Sequence, residues 1–224
     1  MMFCTLGRAT SSPDMIQCWF STSITRIALT GGPGSGKSSA LGFLRQELSA
    51  SGHNVYSCPE VATLLNQSGL FYELGDKNKE FAFQLAVCRL QLALERNIQA
   101  VAESRRDKPT IVITDRGILD NKGYMDSSTW QKVLDNLDRD DGSGTKGVSE
   151  DYLRNRYHGV VHLVTAANGA LDHYKYGATT DDSGNAVVRP ETPEQAISLD
   201  ETTWRSWQPH PRHYRIPNNK GETY

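Results

Sequence analysis

The residues best suited to chemistry lie at positions 31–38, which read Gly-Gly-Pro-Gly-Ser-Gly-Lys-Ser. This segment matches the pattern G-x-x-x-x-G-K-[ST], whose backbone N–H groups hold phosphates. Lys37 is expected to reach the β- and γ-phosphates, and the Ser38 hydroxyl to hold Mg²⁺. We therefore expect a nucleoside triphosphate, either ATP or GTP, against the loop and the residue that follows it: Gly31, Gly32, Pro33, Gly34, Ser35, Gly36, Lys37, Ser38 and Ser39.

The surroundings of this loop agree with a phosphate site. Residues 24–30 have the apolar character of a short buried strand, and residues 39–44 resemble the start of a helix. A helix that begins at the loop adds the positive end of its dipole to the backbone N–H groups. The order of strand, glycine loop and helix distinguishes a phosphate cradle from a glycine-rich turn that happens to precede a lysine.

A second strand with chemistry at its end is predicted at residues 110–114, followed by Asp115 and Arg116. Ligands of open α/β sheets bind at the carboxyl ends of the strands, so Asp115 is predicted to face the metal from the side opposite Ser38. The alternative is an aspartate that caps the next turn. Arg116 either contacts a phosphate or pairs with Asp120.

Glu60 follows the strand predicted at residues 54–57. A carboxylate there could accept the proton of an acceptor hydroxyl during phosphoryl transfer. The other interpretation, which position alone slightly favours, is a glutamate in the first turn of the next helix, where the helix dipole stabilises it.

The longest predicted helix covers residues 77–106, which contain neither Gly nor Pro. Gln84, Gln91 and Glu95 form one polar stripe on it, because they are seven and four residues apart. Polar helix faces are usually solvated, so this spacing favours a solvent-exposed stripe. The alternative is the wall of a substrate cleft, with Gln84 contacting a polar group.

Residues 176–190 are predicted to form a loop with an acidic tip. Such a loop could act as a lid, with Arg189 delivering positive charge to the phosphates. The alternative for Arg189 is an ordinary surface arginine.

Composition limits the remaining function classes. The 224 residues carry a net charge of −2, which gives no sign of nucleic-acid binding, and no apolar run is long enough to cross a bilayer. The four cysteines are scattered, so a reducing compartment, the cytoplasm, is expected. His210 and His213 are predicted to be surface residues. Residues 1–22 are predicted to be a disordered or targeting extension.

The alternation of strand and helix patterns predicts an α/β fold with a mostly parallel sheet. Several segments together resemble the NadR-type P-loop ATPase domain family, and within it the eukaryotic TRPL-translocation-defect proteins. The segments are residues 31–38, 59–62, 83–84, 115–117, 157–170, 189–191, 199–200, 207–211 and 216–218.

This resemblance implies a P-loop NTPase of the nucleoside- and nucleotide-kinase-like type, with a five-stranded parallel sheet and a lid, over residues 23–219. It implies a base role for Glu60, an acceptor contact for Gln84 and a contact of Asn218 with the nucleotide base. It also implies a closing C-terminal helix and a CYTH-like domain, both of which are expected to be absent from this sequence.

Two functions follow from these patterns. One is a Mg²⁺-dependent regulatory NTPase with a signalling or trafficking partner, as the eukaryotic relatives imply. The other is a small-molecule kinase that moves the γ-phosphate to a hydroxyl of a nucleoside-like acceptor. The phosphate loop does not separate them, whereas Glu60 and Gln84 do, because only a kinase needs a base near an acceptor.

Overall fold

A computed structural model describes residues 23–73, 75–105, 107–139, 144–180, 186–189 and 191–218. The predicted N-terminal extension at 1–22 lies outside the described residues. No described helix is long and apolar enough to span a membrane.

The centre of the chain is a five-stranded parallel sheet, as predicted. Its strands lie in the order β2-β3-β1-β4-β7, so the strand that leads into the phosphate loop occupies the middle position. The end of this strand nearest the loop, Ala28, Leu29 and Thr30, is buried, which is typical of the central strands of a parallel sheet. The strands are β1 (Ile24–Thr30), β2 (Asn54–Cys58), β3 (Thr110–Asp115), β4 (Gly159–Leu163) and β7 (His213–Ile216).

Six α-helices lie in the described part of the chain, several with side-chain caps at their N-termini. Asp76 accepts from the N–H groups of Asn78 and Lys79, and Thr192 forms a capping box with Gln195. Such caps satisfy backbone donors that have no partner within the helix. The helices are α1 (Lys37–Ala50), α2 (Val61–Gln67), α3 (Lys77–Glu103), α4 (Ser127–Asn136), α5 (Glu150–Arg154) and α6 (Pro193–Trp207).

The main core lies on the sheet face that carries Ala28 and Val160. Leu85, Cys88 and Leu92 of α3 enter it from one side, and the fully buried Trp207 of α6 enters from another. Burial of such large side chains contributes about 1.5–3 kcal/mol each, which makes this cluster the main support of the sheet.

Two parts of the sequence fold differently from the prediction. The segment predicted as a loop at 176–190 contains an antiparallel hairpin of β5 (Gly177–Thr180) and β6 (Ala186–Arg189). Between β3 and α5 the chain forms a 3₁₀ helix at Ile118–Tyr124 and then α4, neither of which was predicted. The hairpin was not predicted because its two strands are only four residues long, so the polar residues between them dominate the composition of the segment.

The surface position predicted for two histidines is wrong. His210 is buried and its Nε2 lies 3.0 Å from the carbonyl oxygen of Tyr157. His213 is half-buried, with its ring 3.8 Å from that of Trp204. Both rings pack against tryptophans of α6, a contact between distant segments that spacing alone does not indicate.

Candidate functional site

The phosphate loop connects β1 to α1, as predicted. Gly36 adopts a left-handed conformation at φ 77°, which glycine adopts without the steric cost of a Cβ, and α1 begins at the next residue. The Lys37 side chain folds over the loop. Its Nζ donates to the carbonyl oxygens of Gly31 and Gly32 and to the Ser35 hydroxyl, each at 3.0 Å.

The loop also presents backbone donors. Within the described residues, the N–H groups of Gly34, Ser35 and Gly36 donate to no acceptor. Backbone N–H groups need an acceptor when water is excluded, and phosphate oxygens are strong acceptors. The loop therefore combines unpaired donors, a cation and a helix N-terminus, which fits a nucleotide polyphosphate.

Lys37 is electrostatically unusual. Burial lowers its pKa to about 8, and the nearby Arg116 contributes to the shift. The carboxylates of Glu60, Asp115 and Asp120 act in the opposite direction. Such a lysine gains strongly from an anion placed beside it, because the anion restores stabilisation that burial removes.

Asp115 ends β3 next to the strand that leads into the phosphate loop. It is paired in register with Leu29, and the N–H of Arg116 donates to the Leu29 carbonyl oxygen at 3.0 Å. Burial raises the pKa of Asp115, while the charge of Lys37 opposes that shift. An approaching cation would favour its ionised form.

Ser38 lies exposed at the start of α1, so its hydroxyl is accessible. A hydroxyl and a carboxylate are oxygen ligands of the kind Mg²⁺ prefers. The described residues contain no group of three or more His, Cys, Asp or Glu that could hold a metal ion. Magnesium sites that use substrate phosphates need only one or two protein ligands, so Ser38 and Asp115 fit such a site. Their joint role stays a prediction.

Glu60 and Arg116 form an ion pair beside the loop. Glu60 stands at the N-terminal end of α2, yet its carboxylate caps no backbone N–H and pairs with Arg116 instead. Burial opposes ionisation of Glu60. The charges of Arg116 and Lys37 and a hydrogen bond from Thr63 outweigh burial and lower its pKa to about 2.

Arg116 is held in an unusual backbone conformation. Its φ of 65° is the only positive value among the described non-glycine residues, and such strain concentrates at functional sites. Its guanidinium lies 3.5 Å from the Gly31 carbonyl oxygen and 3.9 Å from the Asp120 carboxylate. The predicted pairing with Asp120 is thus present at long range, and the group also lies against the loop, whereas its predicted contact with a phosphate stays a prediction.

Asp120 lies beside the loop, and its sequence context predicts no role for it beyond a pairing with Arg116. It is fully buried in the 3₁₀ helix and accepts hydrogen bonds from Thr30 at 2.7 Å and from the Trp207 indole at 2.6 Å. Burial raises its pKa, against the charge of Arg116. Only its spacing four residues after Arg116 could have indicated a role behind the site.

The prediction that the polar stripe of α3 faces solvent is wrong. Gln84, Gln91 and Glu95 are all at least 93% buried. Gln91 donates to the Arg116 carbonyl oxygen at 2.8 Å, and Glu95 accepts from Tyr157 at 2.7 Å and from Arg156. The stripe faces inward because the segments around β3 and β4 supply the partners that solvent would otherwise provide.

The three residues of this stripe divide into different roles. Gln91 supports the backbone of Arg116, whereas Glu95 belongs to a buried network with Arg156 and Tyr157. Gln84 is buried nearer the start of α3, on the side of Tyr72. Its predicted contact with an acceptor stays a prediction.

Two other predicted site residues, Arg189 and Asn218, lie in the C-terminal part of the chain. Arg189 ends β6, but its side chain lies outside the described part of the structure, so its role as a lid cation stays a prediction. Asn218 follows β7, and its Nδ2 donates to the carbonyl oxygens of Val164, Thr165 and Asn168. These bonds occupy its donors and leave only its side-chain oxygen as an acceptor for a nucleotide base.

Comparison with known proteins agrees with the loop. The model of the AAA domain family AAA_28 matches residues 26–222. None of the curated proteins compared with the chain matches it. A crystal structure of thymidylate kinase from Ehrlichia chaffeensis is similar, with 22% sequence identity, coverage of 90% of each chain and a TM-score of 0.49.

Proposed function

This chain belongs to the AAA domain family, and from that premise we propose that it is a Mg²⁺-dependent, ATP- or GTP-binding regulatory NTPase. The observation that carries the nucleotide-binding part of the proposal is the phosphate loop itself: the buried Lys37 and the unpaired N–H groups of Gly34, Ser35 and Gly36 among the described residues. A cation and unpaired N–H donors are the groups that bind negatively charged phosphate oxygens.

Each part of the site has a role in this proposal. The loop amides and Lys37 bind and orient the phosphates, and Ser38 with Asp115 would hold the metal ion. Mg²⁺ neutralises charge that develops on phosphate oxygens during transfer of the γ-phosphate. Arg116, whose guanidinium lies 3.5 Å from the Gly31 carbonyl oxygen, adds a second cation on the side of Glu60. Binding or loss of the γ-phosphate would then change the contacts of Arg116 and its partners.

The second candidate is a kinase with a nucleoside-like acceptor. The Glu60–Arg116 pair beside the loop, together with the buried Gln84, favours it. Against it, a carboxylate with a pKa of about 2 is a weak base at neutral pH. Glu60 would serve as a base only after Arg116 moves to a phosphate, so an acceptor and a nucleotide would both have to be present.

One pair of assays separates the two functions. Labelled ATP and GTP are titrated with and without Mg²⁺, and phosphate release is compared with phosphate transfer in a panel of nucleosides. The regulatory proposal predicts tight binding, slow release and no transfer to any nucleoside. In a kinase, Glu60→Gln would reduce transfer by about 100-fold or more, the usual contribution of a general base. A transfer activity that depends on Glu60 would replace the first proposal with the second.

A further inference from the structure

The first part of the phosphate loop, residues 31–34, contacts segments that are far away in the sequence. A Cβ built on Gly31 would lie 2.1 Å from the carbonyl oxygen of Leu163, so only glycine fits there. The carbonyl oxygens of Pro33 and Gly34 accept from the Thr165 hydroxyl and from the Ala166 N–H. This part of the loop therefore rests on the segment after β4.

One buried carboxylate completes the attachment. Asp200 lies in α6 and is 1% exposed, and its Oδ1 accepts from the N–H of Gly32 at 2.8 Å. The same oxygen accepts from the Thr165 N–H at 3.1 Å and lies 3.2 Å from His162 Nε2. A single oxygen atom thus contacts the loop, β4 and the segment that follows β4.

The ionised carboxylate suits this position. Burial alone would raise the pKa of Asp200, but the bonds from His162, Gly32 and Thr165 outweigh it and lower the pKa. Arg215 of β7 lies 3.6 Å from the other carboxylate oxygen. Hydrogen bonds to a charged acceptor are roughly twice as strong as those to a neutral one, so the attachment of Gly32 is strong for a single contact.

The backbone N–H groups of the loop therefore fall into two sets. Gly32 donates inward to Asp200, and Pro33 has no N–H to donate. The N–H groups of Gly34, Ser35 and Gly36, which follow in the chain, have no acceptor among the described residues. A phosphate would therefore meet these donors next to a part of the loop that is already held by hydrogen bonds to Asp200 and Thr165.

We propose that Asp200 is a positioning residue of the nucleotide site, which holds Gly32 so that the next three N–H groups stay available for phosphate. The inference rests on the proposed nucleotide-binding function. Asp200 itself does not touch the nucleotide. It fixes the loop to α6, the helix that follows the β5–β6 hairpin. Less conformational entropy of the loop is therefore lost when a nucleotide binds.

The first experiment compares Asp200→Asn and Asp200→Ala with Glu201→Gln. Glu201 is the matched control because it is the next acid on α6 and also contacts Arg215, yet it has no contact with the loop. The dissociation constants of MgADP, MgATP and MgGTP are measured by calorimetry, well below the melting temperature of each variant. We expect affinity to fall by about 10- to 100-fold in both Asp200 variants, with the larger loss in Asp200→Ala, and to change less than 2-fold in Glu201→Gln.

Measuring affinity on fully folded protein separates positioning from stability. A merely structural Asp200 would lower the melting temperature and leave the dissociation constants unchanged, and that result would overturn the inference. If the wild-type protein binds none of the three nucleotides, the proposed function fails first. If the wild type binds and the Asp200 variants bind equally well, only the present inference fails.

A second measurement needs no variant and covers the case in which both Asp200 variants unfold. Amide hydrogen exchange is followed residue by residue in the nucleotide-free wild type and with MgADP. Gly32 should be protected by at least 10-fold relative to Gly34, Ser35 and Gly36 before ligand is added, and those three should gain protection only with it. Equal exchange of all four amides in the free protein would contradict the role of Asp200.

Discussion

At the scale of single residues, five ionisable groups around the loop control one another. Lys37 and Arg116 are the cations, and Glu60, Asp115 and Asp120 are the carboxylates. Burial weakens the charged form of Lys37, whereas the two cations keep Glu60 ionised. A polyphosphate would compete with Glu60 for both cations. In the free site, the carboxylates therefore offset the positive charges of the two cations. A bound nucleotide would take over part of that role.

A glycine behind this charge cluster gives the first prediction. Gly117 has φ −74°, which any residue adopts, but a Cβ there would lie 2.3 Å from the ring of Trp207 and 2.8 Å from the Ala28 Cβ. Gly117→Ala should therefore lower the free energy of unfolding by about 1–3 kcal/mol through overpacking. Urea denaturation of the variant and the wild type measures the difference.

The matched control is Gly42→Ala in α1, where a Cβ would meet no atom within 4 Å. Removing a helical glycine from an open position should raise stability by about 0.5–1 kcal/mol. Equal effects of the two substitutions would show that backbone entropy decides at Gly117 and that the contact with Trp207 does not.

The sequence reveals some site residues and conceals others for a physical reason. The positions of Lys37, Ser38 and Asp115 beside the loop could be predicted because the loop sequence and the strand end fix them locally. Asp120 and Asp200 could not, since their partners Thr30 and Gly32 are 90 and 168 residues away in the chain. A lone aspartate on a helix has the same local pattern whether it meets solvent or a buried N–H.

At the scale of elements, α3 shows why periodicity misplaced a helix face. Its spacing correctly indicated a helix, and the bounds Lys77–Glu103 differ from the prediction only at the C-terminal end. Periodicity assigns polar residues to solvent, yet the polar stripe faces Arg116, Arg156 and Tyr157. Hydrophobicity alone cannot distinguish a solvated stripe from one that other segments satisfy with hydrogen bonds.

That buried stripe gives the second prediction. Glu95→Ala removes the carboxylate that accepts from Gln91, Tyr157 and the buried Arg156. Loss of one partner from a buried ionic network should cost about 3–5 kcal/mol of unfolding free energy. Thermal and chemical denaturation test this value.

Glu103→Ala is the control on the same helix, because Glu103 is exposed. It should change stability by no more than about 0.5 kcal/mol. If Glu95→Ala proved as mild as Glu103→Ala, the hydrogen bonds of Glu95 would contribute nothing net to folding.

At the scale of the whole molecule, β7 forms one edge of the sheet and brings its histidine against α6. The ring of His213 packs on Trp204 and lies 6.2 Å from the ring of His162. Both ring nitrogens are buried and have no hydrogen-bond partner within the described residues. Burial, followed by the charges of His162, His210 and Arg215, lowers the pKa of His213 to about 4.

The sign of the resulting pH dependence follows from linkage. Between pH 6.5 and 4 the unfolded chain binds a proton at this position and the folded chain does not. Stability should therefore fall as the pH falls through that window. His213→Phe keeps a ring against Trp204 and removes the titration, so its unfolding free energy should depend less on pH between 6.5 and 4.

Denaturation curves at half-unit pH steps measure this slope. His173→Phe is the control, because His173 is exposed in the 3₁₀ helix after β4, and its slope should match that of the wild type. A His213→Phe variant with the wild-type slope would show that other groups carry the acid sensitivity.

The central claim is that the loop at residues 31–38 binds a nucleoside triphosphate through Lys37, and one titration tests it most directly. MgATP and MgGTP are titrated into the wild type, Lys37→Ala and Lys132→Ala, whose lysine is exposed on α4. We predict that wild type and Lys132→Ala bind at least one nucleotide with the same affinity, and that Lys37→Ala binds at least 100-fold more weakly while remaining folded. Unchanged affinity in Lys37→Ala would contradict the account.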